Sequence, residues 1–97
     1  MALVVGVCEI SVGLPAIDSI KEKRSVMRKL IQRTRNRYPI SIAEVDEQDT
    51  LDFGVIGLAI VSNDRRYVNS LLDKVVDYMD GLGLARIEAH EIEILNY

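Results

Sequence analysis

The sequence has little of what disulfides, metal clusters and nucleophilic catalysis require, since its 97 residues include one cysteine, Cys8, and one histidine, His90. A single cysteine excludes an internal disulfide and a zinc cluster built from several cysteines. Cys8 falls where the alternating pattern of its segment requires a buried residue. We therefore interpret it as a core side chain rather than as a nucleophile paired with His90. No catalytic residue, cofactor site or metal site is predicted.

Long apolar runs are also missing. The longest one, Gly54 to Val61, is too short to cross a bilayer. No basic residue precedes the apolar run at the start of the chain, which argues against a signal peptide. The content of 48% hydrophobic and 28% charged residues is that of an ordinary globular chain, and the length fits a single domain, residues 1–97. The sequence thus predicts a cytoplasmic protein that does not bind membranes.

Two local patterns resemble ligand sites but fail on spacing. Gly81-Leu82-Gly83 begins like a dinucleotide-binding fingerprint, yet it follows a helical pattern and Arg86 stands at the third glycine position. The acidic segment 46–52 has neither the glycine at position six nor the glutamate at position twelve of a calcium loop. We interpret the first pattern as a helix end and the second as a solvated acidic turn.

Alternating and helical apolar patterns follow one another along the chain. The predicted strands are Leu3–Val12, Ile40–Val45, Phe53–Val61 and Ala85–Leu95. A first helix begins at a capping box, Ser19 with Glu22, and ends before Pro39; its apolar stripe is Ile20, Met27, Leu30, Ile31, Thr34 and Tyr38. A second helix follows the cap residues Ser62-Asn63-Asp64, and its stripe is Val68, Leu71, Leu72, Val75 and Met79.

This order predicts an α+β, ferredoxin-like βαββαβ two-layer sandwich. The antiparallel sheet has the order 4-1-3-2, so the second and fourth strands form its edges. Right-handed connections place both helices on one face of the sheet.

The charge is distributed unevenly. Residues 19–38 hold eight basic residues and one acidic residue, whereas the remainder holds four basic and fourteen acidic residues. The dipole of the helix favours its basic C-terminal end but not the cations in its first turns. We therefore predict that the first helix binds a polyanion, since lysine and arginine in a row suit phosphate groups. The predicted polyanion-binding residues are Lys21, Lys23, Arg24, Arg28, Lys29 and Arg35.

The sheet face away from the helices is predicted to be largely apolar. RNA-binding sheets display aromatic side chains for base stacking, but here Phe53 alone approaches such a position. The face is a poorer platform for bases than for a second subunit. The residues predicted for self-association are Val5, Val7, Val55, Ala59 and Val61.

Four ordered segments resemble the YlxP-like family of small bacterial proteins. Ser19-Ile20-Lys21-Glu22-Lys23-Arg24-Ser25 is similar to the family signature S-L-K-E-K-R-S. The further blocks are Arg35-Asn36-Arg37, Ser41-Ile42-Ala43-Glu44-Val45-Asp46 with Gln48-Asp49, and Val61-Ser62-Asn63-Asp64. The sequence departs from the family at Gly13 and Glu47, where histidine is common. The resemblance implies a ferredoxin-like fold and a domain of unknown function. Family members are often encoded beside translation and ribosome-maturation factors, which implies an RNA-related role.

These patterns leave three hypotheses. The preferred one is a non-catalytic accessory protein that docks on structured RNA or a ribosomal particle through the first helix. The alternative is a dimeric interaction module that binds an acidic protein without nucleic acid. The third, a domain that binds a small molecule or acts as an enzyme through its acidic strands, has the least support.

Overall fold

Six elements form in the predicted order in the computed structural model, which describes residues 3–97. They are β1 (Val4–Gly13), α1 (Ile20–Arg37), β2 (Ser41–Asp46), β3 (Phe53–Ser62), α2 (Arg65–Gly81) and β4 (Arg86–Asn96). Met1 and Ala2, which belong to the predicted domain 1–97, lie outside the described residues. The third strand begins at Phe53 as predicted, and the other strand boundaries differ from their predictions by one residue.

The four strands form one antiparallel sheet in the order β2-β3-β1-β4. This is the predicted order 4-1-3-2, and it leaves β2 and β4 at the edges. Both helices pack on the same face of the sheet, so the ferredoxin-like sandwich is confirmed. No helix among residues 3–97 is long and apolar enough to cross a membrane.

The core lies between the sheet and the two helices, because alternate side chains of β1 and β3 point towards the helices. Cys8 lies opposite Leu58 and Ile10 lies opposite Ile56. The predicted stripe of α2 is buried in full. In α1, Met27, Leu30 and Thr34 are buried, whereas Ile20, Ile31 and Tyr38 are half-buried.

The caps explain where the helices begin. The Ser19 hydroxyl accepts a hydrogen bond from the Glu22 amide at 3.1 Å, as predicted. In the predicted capping box the Glu22 carboxylate would accept from the Ser19 amide, but it accepts from the Asp18 amide at 3.1 Å. This part of the prediction was wrong by one residue, although the side chain still satisfies a backbone donor at the start of the helix. In α2, the Asp64 carboxylate accepts from the Tyr67 amide at 3.1 Å.

Gly6 sets how closely α2 approaches the central strand. A Cβ atom at this position would overlap Cγ1 of Val68 and would lie 3.0 Å from Cδ1 of Leu72. Val68 and Leu72 are fully buried, so neither side chain has open space to move into. The missing side chain at Gly6 therefore allows helix and strand to pack in contact.

Candidate nucleic-acid interface

The solvent-facing side of α1 carries a row of cations. Lys21, Arg24 and Arg28 are exposed, and at about 100° per residue they fall within about 60° of one another around the helix. Lys29 is also exposed and lies on the flank of this row. Of the residues that the structure describes, no carboxylate lies within 4.0 Å of any of the four side-chain charges. We call Lys21, Arg24, Arg28 and Lys29 the basic face.

Lys23 does not belong to the basic face, so its predicted polyanion-binding role was wrong. Its relative exposure is 1%, because its position on the helix lies beside Met27 on the buried stripe. The ammonium donates to the carbonyl oxygens of Thr50 at 2.5 Å and Phe53 at 2.7 Å, and also to that of Glu47. A buried ammonium that is saturated with carbonyl oxygens cannot contact a phosphate.

The same ammonium lies 3.5 Å from Oε2 of Glu44. This oxygen is buried and accepts no hydrogen bond from residues 3–97, so the ammonium is the charge that balances it. Lys23 thus ties α1 to the β2–β3 loop by two hydrogen bonds, to the start of β3 by a third, and to β2 by the ion pair with Glu44.

Arg35 is partly committed to the sheet. Its Nη2 atom donates to the carbonyl oxygen of Ile42 in β2 at 2.8 Å, which draws the guanidinium towards the edge of the sheet. Arg37 lies 5.6 Å from the ring centroid of Tyr38, at the distance of a cation–π contact. Arg35 and Arg37, the two basic residues of the last turn of α1, thus have partners within the fold.

The Lys23 ammonium occupies the position at the acidic turn, residues 46–52, where a bound cation would be expected. The carbonyl oxygens of Glu47 and Thr50 point at the Lys23 ammonium, and the Thr50 hydroxyl donates to the Glu47 carboxylate at 2.8 Å. Glu47 has a φ of 61°, in the left-handed region. No group of three or more metal-ligating side chains occurs in the part of the chain that the structure describes. The backbone oxygens that would attract a cation are directed to a lysine of the same chain.

The open sheet face combines apolar and acidic side chains. Val61 is exposed at 66%, whereas Val55 is buried at 8% and adds little accessible surface; Val5, Val7 and Ala59 are half-buried. Val55 therefore does not fit the predicted self-association surface. Sequence reasoning placed no weight on Glu9, although its alternation with Cys8 and Ile10 puts it on this face.

Cys8 and His90 do not form a catalytic pair in the described fold. Ile92 lies opposite Cys8, and His90 lies opposite Ile10. Cys8 has a relative exposure of 2%. Burial, with a smaller contribution from the negative charge of Asp73, raises the pKa of the thiol to about 11. A neutral, enclosed thiol is a poor nucleophile.

This burial predicts slow alkylation of Cys8. Iodoacetamide reacts with thiolate, and a pKa of about 11 in place of 9.0 lowers the thiolate fraction at pH 8 roughly a hundredfold. We expect labelling of the folded protein, followed by mass spectrometry, to be at least that much slower than labelling in guanidinium chloride. Equal rates in the two conditions would contradict the burial of this thiol.

Comparison with known proteins shows the family of this chain. The family model described as "Protein of unknown function (DUF503)" matches residues 5–93. The chain belongs to this family. Over 62 residues it is 36% identical to the uncharacterized protein YlxP of Bacillus subtilis (strain 168), a match that covers 64% of this chain and 67% of YlxP. The predicted YlxP-like resemblance is confirmed, and neither description names a reaction.

Solved structures similar to the DUF503 chain share the fold at low identity. The de novo designed protein Foldit4 is 11% identical with a TM-score of 0.53, over 98% of this chain and 96% of that chain. LarC2, the C-terminal domain of a cyclometallase involved in the synthesis of the NPN cofactor of lactate racemase, is 11% identical in its apo form. Its TM-score is 0.50, over 100% of this chain and 58% of that chain. At these identities the likeness concerns the fold alone.

Proposed function

We propose that the protein is a non-catalytic accessory factor that docks on structured RNA through the basic face of α1. The observation that carries the proposal is that Lys21, Arg24, Arg28 and Lys29 are exposed and make no ion pair with the described residues. Free cations on one side of a helix suit a phosphate backbone, which supplies most of the affinity of proteins for nucleic acid.

The stability of the helix does not account for Lys21 and Arg24. Both lie in the first turns of α1, where the helix dipole disfavours positive charge. Lys23 lies in the same turns, but its burial among carbonyl oxygens explains it. The side-chain charges of Lys21 and Arg24 make no ion pair with the described residues. A polyanionic partner would supply the opposite charge.

Recognition is proposed to rest on phosphates and on shape rather than on bases. Base stacking requires aromatic side chains on an accessible sheet or groove. Phe53, at the start of β3, is half-buried. The resemblance to proteins encoded beside ribosome-maturation factors favours a ribosomal particle as the source of the RNA.

Titration of a fluorescein-labelled RNA hairpin, followed by fluorescence anisotropy at several salt concentrations, tests the proposal. Three to four phosphate contacts predict a slope of about −2.7 to −3.6 in a plot of log K against log salt. That slope corresponds to a loss of roughly 40- to 150-fold in affinity between 50 and 200 mM salt. Binding that is insensitive to salt would contradict the proposal.

Charge reversal locates the interface. Arg24→Glu with Arg28→Glu removes two phosphate contacts, so affinity at 0.1 M salt is expected to fall roughly fiftyfold and the slope to decrease by about 2. Arg66→Glu with Lys74→Glu makes the same change of charge at exposed positions of α2 and serves as the matched control. Equal losses in the two variants would show a non-specific effect of net charge. If neither the variants nor the parent protein bind RNA and the parent protein binds polyglutamate tightly, the alternative is favoured, namely a dimeric module that binds an acidic protein.

A further inference from the structure

The open sheet face contains a trough, which lies on the opposite side of the sheet from both helices. Its volume is about 780 Å³. Two rows of facing residues form it. One row runs from β2 to β4 through Ala43, Gly57, Glu9 and Glu91, and the next runs through Ser41, Ala59, Val7 and Glu93.

The floor of the trough is made of small side chains. Ala59 and Ala43 leave space above β2 and β3, whereas the Val45 side chain covers Gly57. Val45 closes one end, since a Cβ atom added at Gly57 would lie 3.0 Å from Cγ1 of Val45. Val45 itself is 52% exposed. The trough therefore presents apolar surface with room for a bulky side chain.

The wall of the trough is acidic. Glu9 and Glu91 lie directly opposite each other on β1 and β4, and Glu93 follows two residues along β4. All three side chains are exposed, and none is in an ion pair with a residue in the range 3–97. Like charges directly opposite each other destabilise a sheet, so the free protein gains nothing from this pair. A cationic partner converts the repulsion into attraction.

The charge also argues against a second copy packed face to face on this surface. A symmetric dimer would place six carboxylates in one interface, because both copies contribute the same patch. Arg86, the first residue of β4, is already paired with Glu88 at 3.3 Å. Enclosing unpaired carboxylates is costly.

We propose that this trough binds a basic segment of a partner protein, in which a bulky apolar residue is flanked by lysine or arginine. The apolar side chain enters the space above Ala59 and packs against Val45, and the flanking cations face Glu9, Glu91 and Glu93. Electrostatic complementarity of this kind sets specificity and the rate of association. The site is separate from the basic face of α1, so RNA and the basic segment can bind together.

The probe is a fluorescein-labelled twelve-residue peptide of alternating arginine and leucine, measured by fluorescence anisotropy at 100 mM salt. Glu91→Lys with Glu93→Lys is expected to weaken binding about tenfold, since two wall charges are reversed. Asp77→Lys with Asp80→Lys makes the same change at exposed positions of α2 and is expected to alter binding less than twofold. A similar loss in both variants would overturn the proposal.

Filling the trough tests its apolar part without a change of charge. Ala43 is exposed on the edge strand β2, so Ala43→Phe is compatible with folding, which circular dichroism verifies. The variant is expected to weaken peptide binding about fivefold and to leave RNA binding unchanged. Unchanged peptide affinity would overturn the proposed pocket. A peptide of alternating glutamate and leucine is expected not to bind.

Sedimentation velocity at several protein concentrations distinguishes a partner from a second copy. The acidic trough and the basic helix of another molecule can also attract each other, and such a head-to-tail contact would build open chains. A monomer at all concentrations supports the proposal. Assemblies that grow with protein concentration, and that disappear in the variant Glu91→Lys with Glu93→Lys, would overturn the proposal. The trough would then bind another copy of this chain.

Discussion

Lys23→Met is expected to lower the free energy of unfolding by about 3–5 kcal/mol, the range seen when one partner of a buried ion pair is removed. Methionine preserves much of the apolar stem but removes the ammonium. The carbonyl oxygens of Thr50 and Phe53 then lose their donor, and the Glu44 carboxylate loses its cation. Urea denaturation followed by circular dichroism measures the loss.

Lys21→Met is the control for this substitution. It removes the same charge from the same turn of α1, but at an exposed position, so we expect a change within about 0.5 kcal/mol. Adding Glu44→Gln to Lys23→Met should recover part of the loss, because the unpaired carboxylate is then neutral. A Lys23→Met protein as stable as the parent would show that the loop does not depend on this lysine.

Gly6→Ala is expected to destabilise the protein by about 2–3 kcal/mol, as overpacking of a filled core does. The new methyl group would overlap Val68 and press on Leu72, so α2 must move away from β1. The midpoint of thermal unfolding should fall by roughly 10 °C or more for a domain of this size. Calorimetry measures this change.

Gly81→Ala gives the opposite expectation. Nothing lies within 4 Å of a Cβ atom at Gly81, and the residue ends α2 without a positive φ. Alanine should therefore stabilise the protein by about 0.4–1 kcal/mol by restricting the unfolded chain. A comparable loss in the two glycine variants would contradict the close approach of α2 at Gly6.

The fold could be predicted because the apolar periodicity of each element and the capping, glycine and proline residues at its ends indicate the same boundaries. The stripe of α2 was predicted correctly because every residue in it is apolar. The stripe of α1 was predicted with a gap between Ile20 and Met27, although position 23 lies on the same side of the helix as Met27. A lysine there was interpreted as a surface residue because lysine is rarely buried.

The environment of Lys23 could not be predicted from side-chain patterns. Its hydrogen-bond acceptors are backbone carbonyl oxygens of the β2–β3 loop and of Phe53, all more than twenty residues away in sequence. Every residue type supplies such an oxygen. Glu44 offered a partial signal, since it shares the side of β2 that carries buried Ile42. A carboxylate on the core side of a strand indicates a buried cation nearby.

The two shifts in strand register could not be predicted from the sequence either. β2 shifts against β3 between Glu44 and Asp46, and the pairing of β1 with β4 shifts at Ser11 and Val12. Neither position contains a glycine or a proline that would indicate a bulge. The shift in β2 brings Val45 to the end of the trough, so the shape of that site depends on geometry that the residue pattern does not encode.

The strand order has a consequence for how the protein is made. β1 is synthesised first, yet its two neighbours in the sheet begin only at Phe53 and Arg86. A growing chain that has released β1 and α1 therefore carries an unpaired apolar strand, which is a template for association with other chains. Because β4 supplies the second hydrogen-bonded neighbour of β1, the sheet is complete only when nearly the whole domain has left the ribosome.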